Sequence, residues 1–237
     1  MRSRAVVTLM VCGLLVAAAP AVSAAESPDR VYEITIHNLT EGQWFTPAAV
    51  ATHRGSVDLF TVRRAATFEV KEIAENGNLD PMVGLLSTSR GVSDWAVVTS
   101  PIDPPPIGPG ASVTFELTAR PGARFLSWVS MLICTNDGFT GLDAVRLPQG
   151  VGTTRTFTTA GYDAGTEVNT EAWEDLVPPC AQLTGFGDQG GTGVSNPGLA
   201  EGGVIAMHPG IAGIADLVPD VHGWIDPVAL VEVTRTG

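Results

Sequence analysis

Lysine is almost missing from this chain of 237 residues: Lys71 is the only one, and 25 acidic residues stand against 13 lysines and arginines, a formal net charge of −12. A surface of that sign repels nucleic acid backbones and does not dock on anionic lipid unaided, so neither nucleic acid nor a membrane is an expected partner. Divalent cations are the partner class it favours, although acidity also serves simply to keep an exported protein soluble. Beyond residue 25 no apolar run approaches the ~18 residues of a membrane span.

Catalytic signatures are also missing. The four histidines, His37, His53, His208 and His222, include no pair at the short spacing of a zinc motif, and there is no HExxH or GxSxG. Each histidine reads as a hydrogen-bonded structural residue, and His208 suits a turn before Pro209. "GFGDQGGTG" shares only its glycine content with a phosphate cradle, and no lysine follows it. Paired carboxylates such as Asp163 with Glu167, or Glu171 with Glu174, fit acid–base hydrolysis of glycosides only beside an aromatic-lined cleft. Trp44, Trp95, Trp128, Trp173 and Trp224 are scattered instead. A secreted metal-dependent or carboxylate-dependent hydrolase is therefore the second expectation, behind a binding module that performs no catalysis.

The first 25 residues combine Arg2 and Arg4 with an apolar stretch from Ala5 to Ala19 and small residues at Val22 and Ala24. This is the pattern of a secretory signal peptide cleaved near Ala24 or Ala25, leaving one domain over 26–237. The protein is expected outside the cytoplasm, extracellular or periplasmic. Loss of Arg2 and Arg4 takes the formal charge to about −14. Cys12 lies inside the leader behind "LMV", a poor lipobox, so lipidation is not expected. The remaining cysteines, Cys134 and Cys180, are expected to form a disulfide in an oxidising compartment, stabilising by about 3–4 kcal/mol in the chain-entropy picture.

Elsewhere the patterning is that of short strands. "VYEITIHNLT" alternates Tyr32, Ile34 and Ile36 with polar residues, "SVTFELTA" places Val113, Phe115 and Leu117 on one face, and "PVALVEVTR" repeats the theme. "GVSDWAVVT", "RFLSWVSMLI" and "GGVIAMH" are short apolar runs set between Gly and Pro clusters. Helix is confined to "TFEVKEIAENG", with Thr67 as N-cap, Phe68, Ile73 and Ala74 on one side and Gly77 as terminator, and to a short turn after Pro81. The fold class is all-β, an antiparallel sandwich with one or two short helices in its connections.

Residues 132–171 collect Asp137, Asp143, Asp163, Glu167 and Glu171 against only Arg146 and Arg155. Calcium takes six to eight oxygen ligands from flexible loops. In "YDAGTE", Gly165 lets the chain curl so that Asp163 and Glu167 face one point, and Asp137 in "TNDGF" is also followed by glycine. Two carboxylates about 5 Å apart repel by ~3 kcal/mol at an effective dielectric of 20, which a cation relieves. The spacing is not that of an EF-hand, and a solvated acidic loop is the competing reading.

"TNDGFTGLDAVRLP" followed by "YDAGTE", with "ITIHNLTEGQWFTPAAVATH", "ATFEVKEIAENG" and "HPGI" in the same order, resembles the spondin N-terminal domain, in its stand-alone secreted bacterial form. The resemblance spans essentially the whole chain after the leader. It implies a β-sandwich that holds one Ca2+ between loop carboxylates at one end and is not an enzyme. Carried over, it puts ligands at Asp137, Asp163 and Glu167, the last being aspartate in the animal pattern. Asn136 and Asp143 are neighbours that ligate or shape the turn. An adhesive or surface-binding role is implied, with an extracellular protein, a polysaccharide or another surface ligand as partner.

Overall fold

The computed structural model describes residues 28–101, 106–187 and 190–237. The leader, its cleavage point and Cys12 lie outside the described residues. Among the described residues ten strands form two antiparallel sheets, accompanied by four short helices. The chain is an all-β sandwich.

The smaller sheet is built by the alternating segments. β1 (Arg30–Asn38) lies between β4 (Ser112–Ala119) and β10 (Ala229–Arg235), and β7 (Thr154–Thr159) closes the far edge. Registers set Ile34 opposite Val233 and Phe115, and Ile36 opposite Val231 and Val113. One continuous apolar face results, the outcome that period-two patterning enforces. Glu33, Thr35 and His37 take the other side.

The larger sheet follows a different rule. Its order is β3 (Val92–Val98), β2 (Ala48–His53), β5 (Phe125–Met131), β6 (Gly138–Arg146), β8 (Gly161–Asp163) and β9 (Ala206–Met207). All six residues of β2 are buried, as are the last six of β5. One face, with Val50, Leu126 and Trp128, packs into the sandwich interior. The other, with Ala49, Ala51, Val129, Met131 and Phe139, packs under α1 (Phe68–Asn76) and α2 (Asp80–Thr88) in a second core. Small Ala49 and Ala51 let the helices approach the sheet, and strands covered on both faces lose polar alternation. "RFLSWVSMLI" reads as a continuous run for this reason.

Helix α1 begins where Thr67 Oγ1 accepts from Val70 N–H at 3.3 Å and ends at Gly77 in the left-handed region, φ 63°. Its buried face is Val70, Ile73 and Ala74, while Phe68 is 63% exposed. The expected inclusion of Phe68 on that face is thus corrected, since at 3.6 residues per turn it lies on the side of the helix opposite Val70, Ile73 and Ala74. The turn after Pro81 is a nine-residue helix, α2.

Cys134 and Cys180 are joined in a disulfide that ties the turn before β6 to α3 (Pro179–Thr184). No helix among the described residues is long and apolar enough to cross a membrane.

Candidate metal centre

The β5–β6 connection is wound tightly by its own side chains. Thr135 Oγ1 donates to Leu132 O at 2.6 Å and accepts from Gly138 N–H at 2.9 Å. A Cβ at residue 138 would collide with that hydroxyl, so glycine is required there. The turn presents Asp137, which is fully buried.

Across the β6–β8 ladder Gly138 is the register partner of Asp163, and Ala164 N–H donates to Asp137 O at 3.2 Å. The DAGTE loop therefore starts beside Asp137 and folds over it. Gly165 makes this possible with φ 67°, and a Cβ there would come within 2.6 Å of Val204 N. Asp137 Oδ2 accepts three hydrogen bonds, from Thr166 N–H at 2.7 Å, Glu167 N–H at 3.0 Å and Thr166 Oγ1–H at 3.1 Å. Its other oxygen, Oδ1, is buried and has no partner. Burial, and then the Asp163 charge, push this carboxyl up to about 6 despite the three donors.

Asp163 is half-buried and shapes its own loop: Oδ1 accepts from Gly165 N–H at 2.7 Å and Oδ2 from Asn169 Nδ2–H at 2.6 Å. Glu167 is buried, and its Oε1 accepts from Asn196 N–H at 3.1 Å. Burial first, then the carboxylates of Glu75, Asp137 and Asp175, raise it to about 7. Asp137, Asp163 and Glu167 therefore form a chain of mutually repelling groups around the turn and loop. They are not drawn tight, because no three carboxylates among the described residues have their oxygens within 4.8 Å of one another.

Asn136 and Asp143 have other partners. Asn136 Nδ2 donates to Thr170 Oγ1 at 3.1 Å and its Oδ1 accepts from Glu171 N–H at 3.2 Å, so both ends of the amide hold the chain beyond the DAGTE loop. Asp143 lies on β6 and accepts from Leu59 N–H at 2.8 Å and Ser127 Oγ–H at 3.2 Å. Burial raises its pKa, and its charged neighbours are Asp58 and His53 rather than Asp137.

Sequence reasoning missed Glu171 as an anchor. It sits at φ 56°, a costly conformation for a non-glycine residue, and its carboxylate accepts from Ala212, Gly213 and Ile214 N–H at 2.6, 2.7 and 2.9 Å. It pins the 212–217 segment against the loop. Glu75 on α1 was missed as well, and nothing in "KEIAENG" distinguishes it from a solvated helix residue.

Two constellations invite a catalytic reading. His53 Nε2 lies 2.7 Å from Ser127 Oγ, with Asp143 nearby. Both Ser127 and His53 are fully buried, His53 Nδ1 donates to Arg54 O at 2.8 Å, and Asp143 touches the serine rather than the imidazole. A nucleophilic triad requires the carboxylate on Nδ1 and an accessible hydroxyl. Cys134, Cys180 and His222 place potential ligand atoms within 4.8 Å of one another, but the two sulfurs are bonded to each other and offer no thiolate.

Neither a protein-family model nor a curated protein matches this chain.

Proposed function

We propose that this chain is an exported, calcium-binding sandwich module of the spondin N-terminal type, whose role is to bind an extracellular surface or partner. The observation that carries the calcium reading is Asp137 Oδ1, a buried carboxylate oxygen with no donor. An oxygen of that kind costs several kcal/mol unless a cation or a proton satisfies it. Asp163 and Glu167 supply further carboxylate oxygens around the same turn, which suits the hard, oxygen-seeking chemistry of calcium. The bound ion would neutralise the repulsion that pushes Asp137 and Glu167 upward. The disulfide supports export, because such bonds persist in oxidising compartments.

Calorimetric titration with calcium and with magnesium tests this reading. One calcium per chain, lost in Asp137→Asn and Asp163→Ala, is the expected result. Absence of binding by the unaltered protein would leave a buried acidic turn held by its own hydrogen bonds.

One feature favours the second reading, an exported hydrolase. Glu167, raised to about 7, sits at a cavity with Glu174 and Asp175, and a carboxyl that keeps its proton near neutrality is suited to general-acid work. Turnover of an ester or glycan that Glu167→Gln abolishes would establish it in place of the binding module.

A further inference from the structure

A cavity of about 290 Å³ opens between the C-terminal part of α1, the Trp173–Asp175 turn and the 192–197 segment. Its lining combines the acids Glu75, Glu167 and Asp175 with the apolar Val177, Val194 and Pro197. Glu174 adds a fourth carboxylate. Among the described residues Lys71 pairs with Glu75 Oε2 and reaches Ser195 Oγ at 3.2 Å.

Glu75 has a side chain only 1% exposed, and its second oxygen, Oε1, has no hydrogen-bond partner. Burying half a carboxylate unpaired is expensive, and Lys71 is committed to the other half. The remaining acids have limited capacity to compensate: Asp175 is engaged by Thr170 at 2.8 Å and by Asn196 Nδ2 at 3.3 Å, and Glu167 by Asn196 N–H. A donor from outside the chain is what the cavity lacks.

The geometry selects among donors. The volume exceeds that of an ion and is of the order of a long side chain. A lining that joins apolar side chains to acids matches a ligand with a methylene stem and a cationic head, the amphipathic character of lysine and arginine.

We propose that this cavity binds an aliphatic cation, with Glu75 receiving the ammonium or guanidinium head and Val177, Val194 and Pro197 receiving the stem. The source is a lysine or arginine side chain of a partner protein, or a free alkylamine of the same chemistry. This gives the binding-module reading a partner class; it does not depend on calcium at Asp137, although Glu167 touches both places.

Calorimetric titration of the whole exported protein with cadaverine, agmatine and short lysine- or arginine-containing peptides, with pentanol as neutral control, tests the proposal. Saturable binding with a Kd near or below about 1 mM is expected for the cations and none for pentanol. Tighter binding of peptides assigns a protein side chain, and equal or tighter binding of free amines assigns a small molecule. Glu75→Gln should weaken binding at least about tenfold, with circular dichroism reporting its fold. Val194→Lys, at an exposed position, should block the cavity with a tethered ammonium without disturbing folding. Asp137→Asn should leave amine binding within about twofold. No saturation by any cation to about 50 mM, or equal binding by folded Glu75→Gln, would overturn the proposal. Calcium binding without amine binding refutes this inference alone; amine binding without calcium binding refutes the calcium reading alone.

Discussion

Gly138 and Asp163 face each other across the β6–β8 ladder, and that one register pair sets Asp137 beside Asp163 although 26 positions separate the two acids in sequence. A slip of one residue would turn Asp163 to the opposite face of the sheet. The candidate site is thus held by backbone pairing, with the side chains of the DAGTE loop folding over it.

Replacing Asp137 separates its two oxygens. In Asp137→Asn the amide oxygen still accepts from Thr166 and Glu167, while the buried charge disappears. Without calcium this variant is expected to be at least as stable as the unaltered protein, by up to ~3 kcal/mol near neutral pH. Asp137→Ala removes the acceptor of three hydrogen bonds and is expected to lose about 2–4 kcal/mol. Urea unfolding in chelator measures both.

Stability in chelator is expected to fall as pH rises. Asp137 and Glu167 have ordinary values of 3.8 and 4.5 and are raised to about 6 and about 7. The folded state therefore holds protons that the unfolded state has released. Their stabilising contribution is full below pH ~4 and is lost as pH climbs through about 6 to 7. Buried His53, His208 and His222 are lowered by burial, so they act in the opposite sense, costing stability as pH drops below 6.5. Subtracting the pH profile of Asp137→Asn from that of the unaltered protein cancels the histidines and isolates the Asp137 contribution.

Much of the small sheet was legible because one face of each strand meets solvent. Tyr32, Ile34, Ile36, Val231 and Val233 alternate for that reason, and α1 announced itself through Thr67 and Gly77. The helix-covered sheet was harder to read. Ala48–His53 carries three alanines of poor strand propensity, placed there to admit helices, and Gly138–Arg146 mixes two glycines with a buried threonine and Asp143. The second core beneath α1 and α2 followed from neither pattern. At the candidate site, the approach of Asp137 and the DAGTE loop was suggested by the glycines that follow Asp137 and lie within that loop. The anchoring of Glu171 was not, because its three donors lie more than 40 residues ahead in a segment with no pattern of its own.

Glu171→Ala is expected to cost at least about 2 kcal/mol by leaving three backbone N–H groups without their acceptor. It should also loosen the 212–217 segment, seen as faster amide hydrogen exchange at Ala212, Gly213 and Ile214. Exchange rates equal to those of the unaltered protein would show that water replaces the carboxylate at no cost.

Removal of the disulfide through Cys134→Ala with Cys180→Ala is expected to destabilise by about 3–4 kcal/mol, given the sequence separation of 46. Calcium affinity should fall too, because the bond fixes the turn that carries Asp137. Denaturant unfolding and calcium titration of the double variant check the two effects, and thiol alkylation of the unreduced protein should modify neither Cys134 nor Cys180.

Thermal unfolding in calcium, in magnesium and in chelator, for the unaltered protein and Asp137→Asn, bears most directly on the proposed metal site. Calcium at about 100 times its Kd contributes ~2.7 kcal/mol, a rise in Tm of about 5–10 °C for a domain of this size. That rise is expected with calcium, reduced with magnesium and gone in Asp137→Asn. An unchanged Tm on adding calcium, or an equal rise in the variant, would contradict a calcium ion at Asp137.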